Sequence, residues 1–140
     1  MTQQLTNESL YKDKFNKLKS KTDNCYSPYS NIKIVSLIND EKNNDFFGVN
    51  VENSSYSLTV CSERSCIVSA ISQGVNINLI REMLIYTNSF DEIIPCGACL
   101  QFISEFTNDK FKIITLGNNN KIMIYKIKDL FPKCFECSKN

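Results

Sequence analysis

The residues best suited to chemistry lie in two short segments, Cys61-Ser62-Glu63-Arg64 and Pro95-Cys96-Gly97-Ala98-Cys99. Each segment is predicted to open a helix, where free N–H groups and partial positive charge lower thiol pKa values and favour thiolate ligands for zinc. Cys96 and Cys99 are three positions apart, so they share one helical face. With Cys61 from the other helix, three ligands would leave the fourth tetrahedral position open to water, which is typical of a catalytic zinc site.

The two charged residues after Cys61 fit the same chemistry. Glu63 can reach water in the open position without ligating the metal, and it is the candidate general base and acid. Three thiolates on one Zn²⁺ leave a net negative charge, which weakens the metal as a Lewis acid. Arg64 could offset that charge by donating hydrogen bonds to a thiolate.

The composition narrows the possible chemistry. The chain has seven cysteines and no histidine. An odd cysteine count in a reducing compartment argues against a disulfide framework and favours metal ligation or catalysis. The absence of histidine excludes Ser-His and Cys-His nucleophile pairs and every zinc site that needs imidazole.

Length and charge indicate the setting. A chain of 140 residues predicts a single domain over residues 1–140. The net charge of +1 is spread along the chain without a basic patch, which disfavours a nucleic-acid partner and suits a small, nearly neutral ligand. No apolar run is long enough to span a membrane, and the first residues lack a signal-peptide core, so we expect a cytoplasmic protein.

Hydrophobic periodicity predicts an alternation of helices and strands. Helices are predicted over residues 4–19, with apolar positions Leu5, Leu10, Phe15 and Leu18, over 61–73, with Ile67, Val68, Ala70 and Ile71, and over 96–106. Strands are predicted over residues 32–38, 45–51, 82–87, 111–116 and 121–127. The first two strands are expected to pair as a hairpin. This pattern predicts a three-layer α/β/α fold with a mixed five-stranded sheet.

The two cysteine segments occur with other motifs in a familiar order. Tyr26-Ser27-Pro28-Tyr29-Ser30 precedes Asn50-Val51-Glu52-Asn53-Ser54-Ser55-Tyr56, and Pro95 to Gln101 precedes Leu130-Phe131-Pro132. The chain thus resembles the zinc nucleoside and nucleobase deaminases, with Cys-x-Glu in place of His-x-Glu. It is most similar to the small three-cysteine cytidine deaminases, which act on free nucleosides as homotetramers, and the resemblance covers nearly the whole chain.

This resemblance implies a reaction and a set of binding residues. The reaction is zinc-dependent hydrolytic deamination of cytidine and deoxycytidine in pyrimidine salvage. In the family, the residues matching Asn50 and Glu52 hold the ribose hydroxyls, and the carbonyl matching that of Ile94 accepts from the amine. Phe135 matches an aromatic that stacks on the base in a neighbouring subunit, and Tyr56 matches a residue at the subunit interface.

Several positions depart from the family pattern. Ile32 stands where the family usually has Phe, and Ile cannot stack on a base. Val35-Ser36 replace Gly-Ala, so Val35 is expected to add bulk beside the pocket. Leu100 replaces an Arg, and Ser62 replaces a common Ala.

Two other functions compete with this interpretation. The cysteines could form a closed structural zinc site in a binding module without activity, with Cys134 or Cys137 as the fourth ligand. Glu63 argues against it, because a structural site has no use for a carboxylate beside the metal. Alternatively, the deaminase could act on an aminonucleoside antibiotic or on RNA. Cys25 and Cys66 are interpreted as inert, with Cys66 in the core.

Overall fold

The computed structural model describes residues 2–139, and the surroundings of side chains from residue 9 onward. Nine helices and strands follow one another within that range. They are α1 (Thr2–Ser20), β1 (Ile34–Asn39), β2 (Asp45–Val49), α2 (Ser62–Ser72), β3 (Glu82–Thr87), α3 (Gly97–Ser104), β4 (Lys112–Leu116), β5 (Ile122–Lys126) and α4 (Ile127–Leu130). Every predicted helix and strand is present, with ends displaced by a few residues at most. The last short helix, α4, was not predicted.

The five strands form one mixed sheet in the order β2-β1-β3-β4-β5. β1 pairs antiparallel with β2, which confirms the predicted hairpin, and also antiparallel with β3. β3 and β4 are parallel because α3 carries the chain across one face of the sheet between them. Because β4 and β5 are again antiparallel, the sheet is mixed, as predicted.

Helices cover both faces of this sheet, which confirms the three-layer α/β/α prediction. α1 packs on one face, and α2 and α3 pack on the other. The α1 layer is a cluster of buried side chains that includes Tyr11, Phe15, Leu18, Leu37 and Leu84. Within residues 2–139, no helix is long and apolar enough to cross a membrane.

The apolar face of α1 differs from the prediction by one position. Phe15 and Leu18 are buried as expected, but Leu10 is 61% exposed and Tyr11 takes its place in the core. Tyr11 precedes Phe15 by four residues and so lies on the same helical face, whereas Leu10 is rotated by a further 100° or so. Leu5, the remaining predicted member of that face, has a side chain outside the described part.

The apolar face of α2 also buries fewer of its predicted residues than the sequence periodicity indicates. Ile67 and Ala70 are buried against the sheet, while Val68 and Ile71 are 50% and 43% exposed. Each exposed residue follows a buried one, so it is rotated by about 100° away from the core. The buried face of α2 is therefore narrower than predicted.

Strand alternation in β1 corrects one expectation about the pocket. Val35 is fully buried in the α1 layer, together with Leu37. Ser36, next in the strand, points to the opposite face, where its hydroxyl meets that of Ser62 on α2. The expectation that Val35 adds bulk beside the pocket is therefore wrong, because its side chain lies on the other side of the sheet.

Candidate active site

A cleft of about 470 Å³ opens where β1 begins, β2 ends and the chain runs from β3 into α3. Its volume suits a small-molecule ligand. The cleft lies beyond the carboxyl ends of the parallel pair β3 and β4, where open α/β sheets bind ligands. A larger groove of about 990 Å³ lies at the opposite end of the sheet, and its described lining contains no cysteine.

Two helix starts deliver three cysteines to this cleft. Cys61 is the N-cap residue of α2 and Cys96 that of α3, each with extended backbone, and Cys99 lies in the first turn of α3. The three Sγ atoms lie within 4.8 Å of one another. In residues 9–139, whose side chains the structure describes, this is the only group of three or more Cys, Asp or Glu side chains close enough to share a metal ion.

Arg64 contributes positive charge beside the sulfurs. Its guanidinium Nη2 lies 3.6 Å from Cys61 Sγ and donates to the Thr59 carbonyl at 3.3 Å. Its buried Nε has no hydrogen-bond partner among the described residues. Hydrogen bonding from the Cys99 thiol and then from Arg64, against the opposing effect of desolvation, lowers the pKa of Cys61. Cys61 is thus the thiol most ready to become a thiolate.

Glu63 is held in an almost dry environment. Its side chain belongs to the first turn of α2, is only 3% exposed, and lines the cleft. Its Oε2 lies 3.8 Å from Cys99 Sγ. Burial, and then the charge of the Cys61 thiolate, raise the pKa of Glu63 above its ordinary value. A carboxyl group tuned in this direction suits proton exchange near neutral pH.

Asn50 and Glu52 line the cleft on the stretch that follows β2. Asn50 joins the strand ends, since its Oδ1 accepts from Ile34 N–H at 3.0 Å and its Nδ2 donates to the Ile32 carbonyl at 2.7 Å. One Nδ2 hydrogen is left over for a ligand, because an amide nitrogen carries two.

Glu52 receives two backbone hydrogen bonds on one carboxylate oxygen. Its Oε1 accepts from the N–H groups of Tyr29 at 3.1 Å and Ser30 at 3.2 Å. Although desolvation acts in the opposite direction, these bonds and one from the Ser30 side chain lower the pKa of Glu52. Glu52 therefore presents a fixed, ionised acceptor to the cleft.

The remaining predicted site residues are divided between the cleft and the surface. Ile94 and Tyr56 line the cleft, and Tyr56 contacts Tyr29 edge to face at a centroid distance of 5.7 Å. Phe135 is outside the cleft lining and 78% exposed. Its backbone is fixed at both ends by Gln101, whose Oε1 accepts from its N–H at 3.2 Å and whose Nε2 donates to its carbonyl at 2.9 Å.

The other cysteines stay away from the sulfur group. Cys66 is fully buried and its Sγ donates to the Phe46 carbonyl, while half-buried Cys25 donates to the Ile34 carbonyl. Burial raises the pKa of both thiols, as expected for inert groups. Neither Cys134 nor Cys137 belongs to the described sulfur group, which therefore has no fourth cysteine in this chain.

Sequence reasoning missed two residues that shape the site. A Cβ on Gly48 would lie 2.2 Å from the Ser62 carbonyl oxygen and 2.3 Å from the Cys66 nitrogen, so only glycine lets α2 press this closely onto β2. A glycine inside a predicted strand was the available signal. Thr59 lines the cleft with a buried Oγ1 that has no hydrogen-bond partner among the described residues, and no sequence pattern marked it.

The sulfur group fits zinc. Zn–S bonds of about 2.3 Å place the sulfurs of a tetrahedral site roughly 3.8 Å apart, a spacing that the three sulfurs reach with small adjustments. Soft thiolate donors select zinc over hard cations. Three cysteines beside a cleft fit a catalytic type of zinc site, which has three protein ligands, better than a closed structural site, which has four.

Comparison with known proteins gives the family. Residues 9–115 match the model of the cytidine and deoxycytidylate deaminase zinc-binding region. The cytidine deaminase of Mycoplasma genitalium is 36% identical over 115 residues, which cover 81% of this chain and 86% of that protein. A probable cytidine deaminase of Dictyostelium discoideum is 33% identical over 112 residues, covering 79% of this chain and 74% of that protein. The chain belongs to the cytidine and deoxycytidylate deaminase family, whose domain binds Zn²⁺.

Solved structures agree with the fold. The cytidine deaminase of Burkholderia pseudomallei superposes with a TM-score of 0.78 at 29% identity, covering 84% of this chain and 93% of that chain. The cytidine deaminase of Mycobacterium leprae gives a TM-score of 0.70 at 27% identity with the same coverage. The α/β fold is therefore that of the cytidine deaminases.

Proposed function

We propose that the protein hydrolyses the exocyclic amine of free cytidine and deoxycytidine, giving the corresponding uracil nucleoside and ammonia. The observation that carries this proposal is the buried Glu63 carboxylate beside a three-sulfur group in a cleft of nucleoside size. The relatives named as cytidine deaminases support the same reaction.

Cys61, Cys96 and Cys99 are the proposed zinc ligands. Zinc held in this way supplies a Lewis acid that activates water for attack on the ring carbon bearing the amine. The Arg64 guanidinium neutralises part of the thiolate charge, because it lies against Cys61 Sγ. Neutralisation of this kind keeps the sulfurs from weakening the metal as a Lewis acid.

Glu63 is the proposed proton carrier. Its carboxylate takes a proton from the attacking water and delivers it to the ring nitrogen N3. Glu63 then takes the second proton from the new hydroxyl group on that carbon and passes it to the amine; the hydroxyl oxygen becomes the uracil carbonyl as the C–N bond breaks and ammonia leaves. The dry surroundings of Glu63 favour this exchange, because burial raises its pKa toward the range where it can both accept and donate.

The cleft lining favours a nucleoside over a nucleotide. Its described residues include three glutamates, Glu52, Glu63 and Glu92, and neither lysine nor arginine. A substrate phosphate would therefore meet negative charge with no cation to receive it. Asn50 and Glu52 offer a donor and an ionised acceptor that suit the sugar hydroxyls, and Ile94 offers a backbone carbonyl for the amine. The same absence of cations disfavours RNA as the substrate.

The neighbouring subunit is proposed to complete the site in a homotetramer, which is the assembly that the family resemblance implies. Phe135 is too exposed to act in its own cleft, yet Gln101 fixes its backbone, which suits an aromatic presented to another copy. Tyr56, Leu58 and Val68 are further exposed apolar side chains that an interface would cover. Light scattering at assay concentration should show an oligomer, and a fully active monomer would refute it.

The proposed role is pyrimidine salvage in the cytoplasm. All seven cysteines are free thiols, as fits a reducing compartment.

The experiment that tests the function is an ultraviolet assay of purified protein with cytidine, deoxycytidine and cytidine monophosphate, alongside metal analysis. We expect turnover of both nucleosides, little of the monophosphate, and one zinc per chain. Zinc without turnover of either nucleoside would favour the non-catalytic zinc module.

A further inference from the structure

Two buried hydroxyl groups connect the sheet to the proposed proton carrier. Ser36 on β1 and Ser62 on α2 are both fully buried, and their Oγ atoms lie 2.7 Å apart. Ser62 Oγ in turn lies 3.2 Å from Glu63 Oε2. The three side chains thus form a continuous line of hydrogen bonds from strand β1 to the cleft.

The direction of these hydrogen bonds follows from counting hydrogens. A carboxylate only accepts, so the hydrogen between Ser62 and Glu63 belongs to the Ser62 hydroxyl. Each serine has one hydroxyl hydrogen, and that of Ser62 is then used. The bond between the two serines must therefore be donated by Ser36 and accepted by Ser62.

The second possible donor to Glu63 Oε2 is the Cys99 thiol, and it would lose its hydrogen on binding zinc. Cys99 Sγ lies 3.8 Å from Glu63 Oε2, but a thiolate ligand has no hydrogen to donate. The Ser62 hydroxyl is then the side-chain donor that remains on Oε2 among the described residues. Holding one oxygen in this way fixes the rotation of the carboxyl group and leaves Oε1 for the reacting atoms.

We propose that Ser36 and Ser62 are positioning residues that orient the Glu63 carboxylate through a directed hydroxyl relay. Ser62 acts on Glu63 directly, and Ser36 acts through Ser62 by polarising its hydroxyl. The relay rests on the proposed function, in which Glu63 carries the protons.

The test is a double-mutant cycle of Ser62→Ala, Ser36→Ala and the combined variant in the zinc-loaded protein. We expect Ser62→Ala to lower kcat roughly tenfold with unchanged KM and one zinc retained, since a hydrogen bond to a charged group is lost. Ser36→Ala should lower kcat by a smaller factor. The combined variant should match Ser62→Ala, because Ser36 has no route to Glu63 without Ser62.

Thermal stability gives a readout that does not depend on turnover. Ser62→Ala leaves the Ser36 hydroxyl buried without a partner, whereas the combined variant removes both groups. The combined variant should therefore melt at a higher temperature than Ser62→Ala. A control for loss of any buried hydroxyl is Thr22→Val, since Thr22 Oγ1 donates to the Lys19 carbonyl outside the cleft lining. It should leave kcat unchanged.

An infrared difference spectrum reports on the carboxyl group itself. Subtracting the spectrum of Glu63→Gln isolates the Glu63 band, which should shift in Ser62→Ala and stay in place in Thr22→Val. A wild-type kcat together with an unshifted Glu63 band in Ser62→Ala would overturn the relay. So would a Ser36→Ala substitution that lowers kcat by the same factor in the wild type and in Ser62→Ala. Wild-type turnover by Glu63→Gln would instead show that Glu63 is not the proton carrier, and the relay would fall with it.

Discussion

The chain contains the Cys-x-x-Cys spacing twice, and the two copies have different surroundings. Cys96 and Cys99 open α3, where the N-cap geometry directs both sulfurs to Cys61 at the start of α2. Cys134 and Cys137 lie in the irregular segment after α4, and in the described residues they belong to no group that could hold a metal. The same spacing thus lies beside a third cysteine only in the copy that opens a helix.

A carboxylate distinguishes the two copies further. The first pair has Glu63 buried beside it and a cleft in front of it. The second pair has Glu136 between its cysteines, and this side chain is exposed. Burial changes which protonation state of a carboxyl group is favoured, and of these two glutamates only Glu63 is buried. Chemistry therefore depends on the environment that the fold builds around the cysteines.

The largest expected effect is the loss of zinc and turnover when a cysteine of the first pair is removed, and it directly tests the difference between the two pairs. We expect Cys99→Ala to lose most of its zinc and all detectable turnover, because two remaining thiolates hold the metal poorly. The matched control is Cys137→Ala, which should keep one zinc per chain and full turnover. Metal analysis and the ultraviolet assay measure both. Full zinc content in Cys99→Ala would show that the first pair is not the metal site.

Removal of the proposed proton carrier, Glu63, should separate metal binding from catalysis. Glu63→Gln is expected to keep zinc and fold while kcat falls about a hundredfold to ten-thousandfold, the usual contribution of a general acid–base group. The amide still accepts a hydrogen bond but does not exchange protons. Kinetics with metal analysis on the same sample check this, and near-normal turnover contradicts it.

The close approach at Gly48 tests how the position of Cys61, a proposed zinc ligand, depends on the packing of α2 against β2. In Gly48→Ala the new methyl group would overlap the backbone of α2, so that helix must move away from β2. Overpacking of this kind costs about 1–3 kcal/mol of stability, and we expect weaker zinc binding because Cys61 moves with the helix. Calorimetry and zinc titration measure the two effects.

The control for that substitution is Gly97→Ala on α3. A Cβ there meets no atom within 4 Å, so the variant should be as stable as the parent or slightly more so. Equal stability of the two variants would mean that α2 does not need the close contact at Gly48.

The smallest expected effect concerns the sugar. Glu52→Gln should lower kcat/KM for cytidine roughly tenfold to a hundredfold, because a charge-assisted hydrogen bond to a hydroxyl is lost. Cytosine lacks the sugar, so its kcat/KM, which we expect to be low already in the wild type, should barely change in Glu52→Gln. A comparison of both substrates in both proteins checks the assignment, and an unchanged cytidine value would remove Glu52 from the sugar site.

Much of the fold was predictable because its signals are local. Strand β3 was predicted over the same residues, 82–87, that the structure shows, and the hairpin of β1 and β2 was recognised from its polar turn. The errors lie where neighbours decide burial. Leu10 and Val68 look apolar in sequence but lie one residue out of phase with the buried stripe of their helices. Only the packing of the helix on the sheet fixes that phase.

The sequence by itself determined the chemical parts of the site: three cysteines near helix starts, a carboxylate two residues after the first of them, and no histidine to replace them. Helix-capping preferences and hydrophobic periodicity act over a few residues, so they can be read from a single amino-acid sequence. Only the tertiary structure decided that Cys61 meets Cys96 and Cys99, and that Ser36 meets Ser62. Such contacts join segments far apart in sequence, and they depend on the distance at which layers pack, which no local pattern encodes.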